Sequence, residues 1–450
     1  MNYQHLSLHQ APPIGVPLRF FLTAPPFAVL FALGLLFNGP IVMQDRWAPA
    51  SLGITHLFTL GFITMIMFGA LMQLLPVLVG TPVARPGRIS TALHLLLTSG
   101  TLLLAAGLWS GNTVVLSAAF AVLLLVFSVF MLAAASSLLR TPATHPTIWA
   151  IRLALTALLL AVSIGLLLAG GHAWDAITLD RRLTDVHLTW ILVGWIGFSI
   201  TGFAYHLVPM FQMTPDYPAL MMRLHVPLMF SLLLLWSVSA LLSAAGGGYW
   251  SVLNNISATA IATGMAFFAI MTLRLQAQRR RRLPDVSLRY WRVGMLSLLL
   301  CVLLWATGTL WPGEQPSFLD TLVVVLYLAG FVTSVITGML YKIVPFLVWL
   351  HSQQWQHKKG VSRGKIPGMK KIIPEQWAYR QFLLQQLALI LILLAVIWPA
   401  GWTYAAAVTL CASWLMLWFN LLRGVKVYKR FVTTADENKD RDPQTATTPP

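Results

Sequence analysis

The chain alternates long apolar runs with short polar joints. A helix rises 1.5 Å per residue, so about 20 apolar residues cross a hydrocarbon core of roughly 30 Å. Twelve runs reach that length, at about 17–38, 54–79, 90–110, 113–137, 149–169, 186–211, 224–245, 249–274, 289–311, 318–347, 379–400 and 403–424. The pattern predicts an all-α polytopic membrane protein of twelve transmembrane helices forming a single domain over 1–432. The stretch before Leu18 lacks the basic-then-apolar order and small-residue cleavage site of a secretory signal, so the first run is expected to remain a helix.

The runs also repeat. Spans two, six and ten read GFITMIMFGALMQLLPVL from Gly61, GWIGFSITGFAYHLVPMF from Gly194 and GFVTSVITGMLYKIVPFL from Gly330. Gly61, Gly69 and Pro76 recur as Gly194, Gly202 and Pro209, and again as Gly330, Gly338 and Pro345. Arg19, Arg152 and Arg289 open spans one, five and nine, where they can snorkel to head groups. The chain is therefore three copies of a four-helix unit, over about 17–137, 149–274 and 289–424. The repeat glycines permit close approach of backbone either to a neighbouring helix or to a flat ligand such as a porphyrin. The repeat prolines kink or end their helices.

Composition agrees with a membrane location: 58% of the 450 residues are hydrophobic, only 10% are charged, and the mean hydropathy is +0.75. All but three of the 30 Lys and Arg residues fall on one side of a twelve-span topology; Arg46, Arg181 and Arg182 lie opposite. Basic loops stay in the cytoplasm, which predicts cytoplasmic termini and explains the net charge of +17 without nucleic acid. Lipid is the expected partner. Cys301 and Cys411 lie inside spans and read as small core residues. Residues 433–450 are polar and expected to be a disordered cytoplasmic tail, and the basic insertion 352–376 is expected at the membrane surface.

Every Asp and Glu lies outside the spans or at their edges, which counts against a proton-driven permease or a pump. The ionisable groups at membrane depth are chiefly His56, His94, His187, His206 and His225, with His172 in an outer loop. His56 and His187 lie at the same end of spans two and six. In the repeat register His187 maps to Ile54, two residues from His56, and the third copy offers Val323 and Val325 instead. A neutral imidazole is a good axial ligand for haem iron, and Asp185 could accept the remaining N–H of His187. Water-wetted interfacial histidines are the simpler reading of either residue alone. At the opposite end His206, Met210, Met213, Met221, Met222 and His225 form a second cluster, whose thioether and imidazole donors suit Cu(I), although methionines in apolar helices more often serve packing. His206 aligns with Gln73 and Lys342, three polar residues at one depth.

Three four-helix units and the stretch HLFTLGFITMIMFGALMQLLP from His56 to Pro76 resemble the catalytic subunit of the haem-copper oxidase and nitric oxide reductase superfamily. That resemblance implies a haem-copper oxidase subunit I-like fold over all twelve spans, and haem b ligation by His56. The family's His-x-His pair of the tenth helix and the paired histidines of its seventh are missing, so the usual binuclear site cannot be assembled. This degenerate pattern is similar to the NnrS-type membrane proteins of denitrifying bacteria, relatives associated with haem, copper and nitric oxide stress. It implies a multi-pass protein of the bacterial inner membrane connected with respiration or nitrosative stress, with cytochrome or respiratory subunits as partners; beside His56, the residues themselves offer His187 as a second haem or metal ligand and His206, Met210 and His225 as further metal candidates. Two other readings stand beside it: a copper or small-solute transporter without haem, and a scaffold for a respiratory complex.

Overall fold

A computed structural model describes residues 10–80, 84–139, 145–174, 181–243, 248–280, 283–311, 313, 315–359 and 366–441. Among them are twelve helices long and apolar enough to cross a membrane and no β-strand. They are Gly15–Asn38, Pro49–Leu78, Pro86–Ser110, Thr113–Leu138, Pro146–Trp174, Arg181–Gln212, Ala219–Leu242, Gly248–Ala277, Val286–Thr309, Leu319–Lys359, Glu375–Ile397 and Pro399–Thr433. The polar joints supply the starts. Pro49, Pro86, Pro146 and Pro399 occupy first helical positions, where a missing N–H costs nothing. Asn112 caps span four by accepting from the Val114 and Val115 amides, and Asp285 caps span nine at the Leu288 amide.

The ends differ from the sequence expectation in three places. Span ten runs through Pro345 to Lys359, since one missing amide is tolerable where packing holds the helix. The last helix continues to Arg441, into the stretch expected to be disordered, and 442–450 lie outside the described residues. His172 sits in the last turn of span five rather than in a loop.

Spans two, six and ten are the inner helices: 83, 78 and 72% of their apolar stretches are buried, against at most 50% in any other span. The nine others surround them, with span twelve packed on span one to close the ring. Large apolar side chains such as Leu95, Leu132, Leu228 and Leu303 face outward, as contact with lipid requires. The protein therefore spans a lipid bilayer with its three most buried helices at the centre.

The repeat glycines make that arrangement possible. A Cβ added to Gly69 would meet Phe20 Cβ at 2.8 Å, one on Gly202 would meet Ala150 Cβ at 2.8 Å, and one on Gly338 would meet Tyr290 Cβ at 2.7 Å. Gly61, Gly194 and Gly330 press in the same way on Phe27, Ala157 and Ser297. All six partners belong to the first span of the same repeat. Of the two uses open to these glycines, close helix packing is the one observed.

Arg19, Arg152 and Arg289 also act between helices. Arg19 bonds Thr91 on span three, Arg152 donates to the Leu138 carbonyl at the end of span four (2.7 Å), and Arg289 lies over the Tyr379 ring.

Gly338→Ala should cost about 1–3 kcal/mol, because the new methyl meets Tyr290 and the Ser287 carbonyl. Gly87→Ala, with nothing within 4 Å, should stay within about 1 kcal/mol of the parent. Thermal unfolding of the two variants in one detergent checks the contrast.

Candidate functional site

Inner spans two and six each carry one histidine near the end where Arg46 and Arg181 emerge. His56 Nδ1 lies 2.8 Å from the Leu52 carbonyl of its own helix, and His187 Nδ1 lies 2.8 Å from the Ala161 carbonyl of span five. A carbonyl only accepts, so each Nδ1 carries the proton and each neutral ring keeps its lone pair on Nε2. Gly165 makes the room for His187: a Cβ there would stand 2.7 Å from His187 Cε1. Two half-buried imidazoles, each tied at Nδ1, thus stand at the same end of spans two and six.

A backbone feature that sequence reasoning missed explains their equivalence. All three inner spans contain a π-helical segment, Thr59–Thr64, Trp190–Gly197 and Leu326–Val332, each holding the first repeat glycine. The segment begins three residues after His56 in span two, after His187 in span six and after Val323 in span ten. Measured from this feature His56 and His187 are equivalent, although the glycine and proline register sets them two residues apart. The segment is six residues long in span two and eight in span six. Its irregular carbonyls find partners: Tyr327 Oη, from the segment in span ten, donates to the Leu192 carbonyl in the segment of span six at 2.8 Å.

Above the imidazoles lies a compact cap. The Arg46 and Arg181 guanidinium groups sit 4.6 and 5.3 Å from the Trp47 ring centre, and Arg46 pairs with Asp185 at 3.1 Å. These are two of the three basic residues that the topology placed on this side. Asp185 is engaged by Arg46, and the Ala161 carbonyl fills the role at His187 that the sequence offered to Asp185.

At the opposite end the inner spans enclose a cavity of about 40 Å³ lined by Gln73, His206, Met210, Ile343 and Phe346 among others. His206 and Met210 are thereby brought together with Gln73. His225 does not line it; its ring stacks near Phe267 and Phe268 in the neighbouring ring of helices. Lys342, in register with Gln73 and His206, turns from the cavity to Asp285 at 2.7 Å. His94 bonds Thr23 and packs edge-on against Phe20, a structural role. Buried His351, which no sequence pattern marked, ties Leu347 to Pro12 through both ring nitrogens. Among the described residues no group of three or more His, Cys, Asp or Glu could hold a metal ion.

No protein-family model and no curated protein matches the chain. A solved structure does: a heme-copper terminal oxidase dimer determined by cryo-EM, with a TM-score of 0.57 and 12% identity, covering 94% of this chain and 84% of that one. The likeness establishes a fold similar to the haem-copper oxidase catalytic subunit.

Asp185→Asn removes an ion pair whose two side chains are about half exposed. Such pairs contribute between about 0 and 1 kcal/mol, so thermal unfolding should move by no more than that. A larger loss would mean that Asp185 has a buried structural partner.

Proposed function

We propose that this is a haem-binding protein of the bacterial inner membrane, a divergent NnrS-like relative of the haem-copper oxidases, in which His56 and His187 hold one haem b near the periplasmic face. The observation that carries it is that inner spans two and six each bring one imidazole, tied at Nδ1 to a carbonyl, to the same end of the bundle. Gly165 gives the His187 ring its seat against span five, where a Cβ would stand 2.7 Å from His187 Cε1. The cap suits the group: Arg46 and Arg181 supply cationic donors beside the pair, as the carboxylates of a porphyrin require. Cys301 and Cys411 stand apart with no C-x-x-C-H motif, so the haem would be held without thioether bonds, as a b-type haem is. In this reading both termini are cytoplasmic, as the distribution of Lys and Arg requires.

A haem with two imidazole ligands is low-spin and carries single electrons. His56 and His187 would together hold the group, and the single-electron chemistry it would supply favours respiratory electron transfer, or electron supply in nitric oxide stress, over binding and reducing a gas. Val323 takes the equivalent place in span ten, so the third copy adds no ligand to the pair. A neighbouring cytochrome or respiratory subunit would supply or receive the electron.

Protein purified from haem-replete cells should show a Soret band and, after reduction, the narrow visible bands of a six-coordinate b haem. His56→Ala and His187→Ala should each abolish that spectrum in folded protein, and Gly165→Ala should weaken it by pressing on His187. Asp185→Asn should leave it unchanged. Folded wild-type protein without a Soret band would remove the proposal.

A further inference from the structure

We infer that the basic end of spans eleven and twelve is a binding site for one anionic phospholipid, with Arg380 and Arg423 holding its phosphate and an apolar stripe beneath each arginine receiving an acyl chain. The site is separate from the imidazole pair and does not depend on the haem reading. Span eleven begins and span twelve leaves the bundle at this end, and the two helices pack together. Asn420 Nδ2 donates to the Trp377 carbonyl at 3.5 Å and ties the helices to each other there. The Arg380 and Arg423 guanidinium groups, one from each helix, each lie 5.5 Å from the Trp377 ring centre. Both arginines are exposed. Tryptophan and arginine at a span end are ordinary anchors in the head-group layer, so one arginine on the ring needs no ligand. Two are different, because they bring like charges to a single indole.

The opposite end of the bundle shows how the chain balances such a pair by itself. There Arg46 and Arg181 flank Trp47, and Asp185 lies 3.1 Å from Arg46. At Trp377 no carboxylate among the described residues pairs with either arginine. Glu375, two residues before the ring, accepts from the Val286 amide at 2.6 Å, and Asp285 holds Lys342. The balancing charge therefore comes from outside the chain, and a guanidinium fork matches a phosphate. What lies beneath the arginines identifies its carrier. Leu383, Leu387 and Ile390 follow Arg380 along one exposed face of span eleven, and Phe419, Leu415 and Val408 follow Arg423 along one exposed face of span twelve. Phe419 packs on Trp377 with ring centres 6.2 Å apart, so both stripes start at the same indole. At 1.5 Å per residue they descend about 15 and 22 Å from their arginines, comparable with one leaflet of a core roughly 30 Å thick. A free anion would use the arginines alone, whereas a two-chain lipid uses the stripes as well. Two uncompensated cations favour a net negative head group over a zwitterionic one.

The test is native mass spectrometry of the purified, delipidated full-length protein in a neutral detergent, titrated with phosphatidylglycerol, with phosphatidylcholine of the same chains, and with inorganic phosphate. Wild type should retain one phosphatidylglycerol in preference to phosphatidylcholine. Arg380→Gln and Arg423→Gln should each weaken that binding at least about tenfold, the worth of one hydrogen bond to a charged group. Arg380→Lys/Arg423→Lys keeps both charges without the fork, and should bind more tightly than the double glutamine variant. Arg88→Gln removes the same charge at the same end of span three and should leave binding unchanged. An equal loss in Arg88→Gln would reduce the effect to diffuse charge and overturn the inference, as would equal retention of the two lipids. Inorganic phosphate that displaces the lipid at comparable concentration would show an anion site without acyl contacts, and would overturn it equally.

Discussion

Backbone contact between each inner helix and the first helix of its repeat is the constraint on which the structure depends. Lipid gives no hydrophobic drive for helices to associate, so they hold together by close packing and by bonds between polar groups. Glycines at 61, 69, 194, 202, 330 and 338 let spans two, six and ten sink onto spans one, five and nine until side chains touch backbone. Nine lipid-facing helices can then enclose three. Inside that enclosure imidazole, amide and hydroxyl groups can be held away from hydrocarbon.

Three identical seats do not lead to three identical sites. The first copy puts histidine ahead of its π-helical segment, the second does the same, and the third has Val323. At the other end the same depth holds Gln73, His206 and Lys342, of which the first two face the axis and the third is withdrawn to Asp285. Gene-repeat symmetry supplies the scaffold, and its chemical breaking confines the imidazole pair to the seam between the first two repeats. The Arg46, Trp47, Arg181 and Asp185 cap closes that same seam.

Much of this was legible in the sequence, for physical reasons. Hydrophobic length gives the twelve spans, because the bilayer admits few other solutions, and the Gly and Pro spacing gives the repeat. His56 and His187 stand out because ionisable groups are costly there. What stayed hidden was backbone irregularity. The π-helical segments have no composition of their own, so nothing in the sequence shows that His56 and His187 each stand three residues before one. Long-range partners were equally invisible: nothing local distinguishes Asp185 as the partner of Arg46, or the Ala161 carbonyl as the partner of His187.

The central claim is that this fold holds two imidazole nitrogens ready for one metal centre at the seam. Electron paramagnetic resonance of the oxidised, purified protein tests it most directly. A low-spin ferric signal of bis-imidazole type, integrating to one spin per chain, is the predicted result. A high-spin signal, or a protein that folds fully and gives no ferric signal at all, would contradict it.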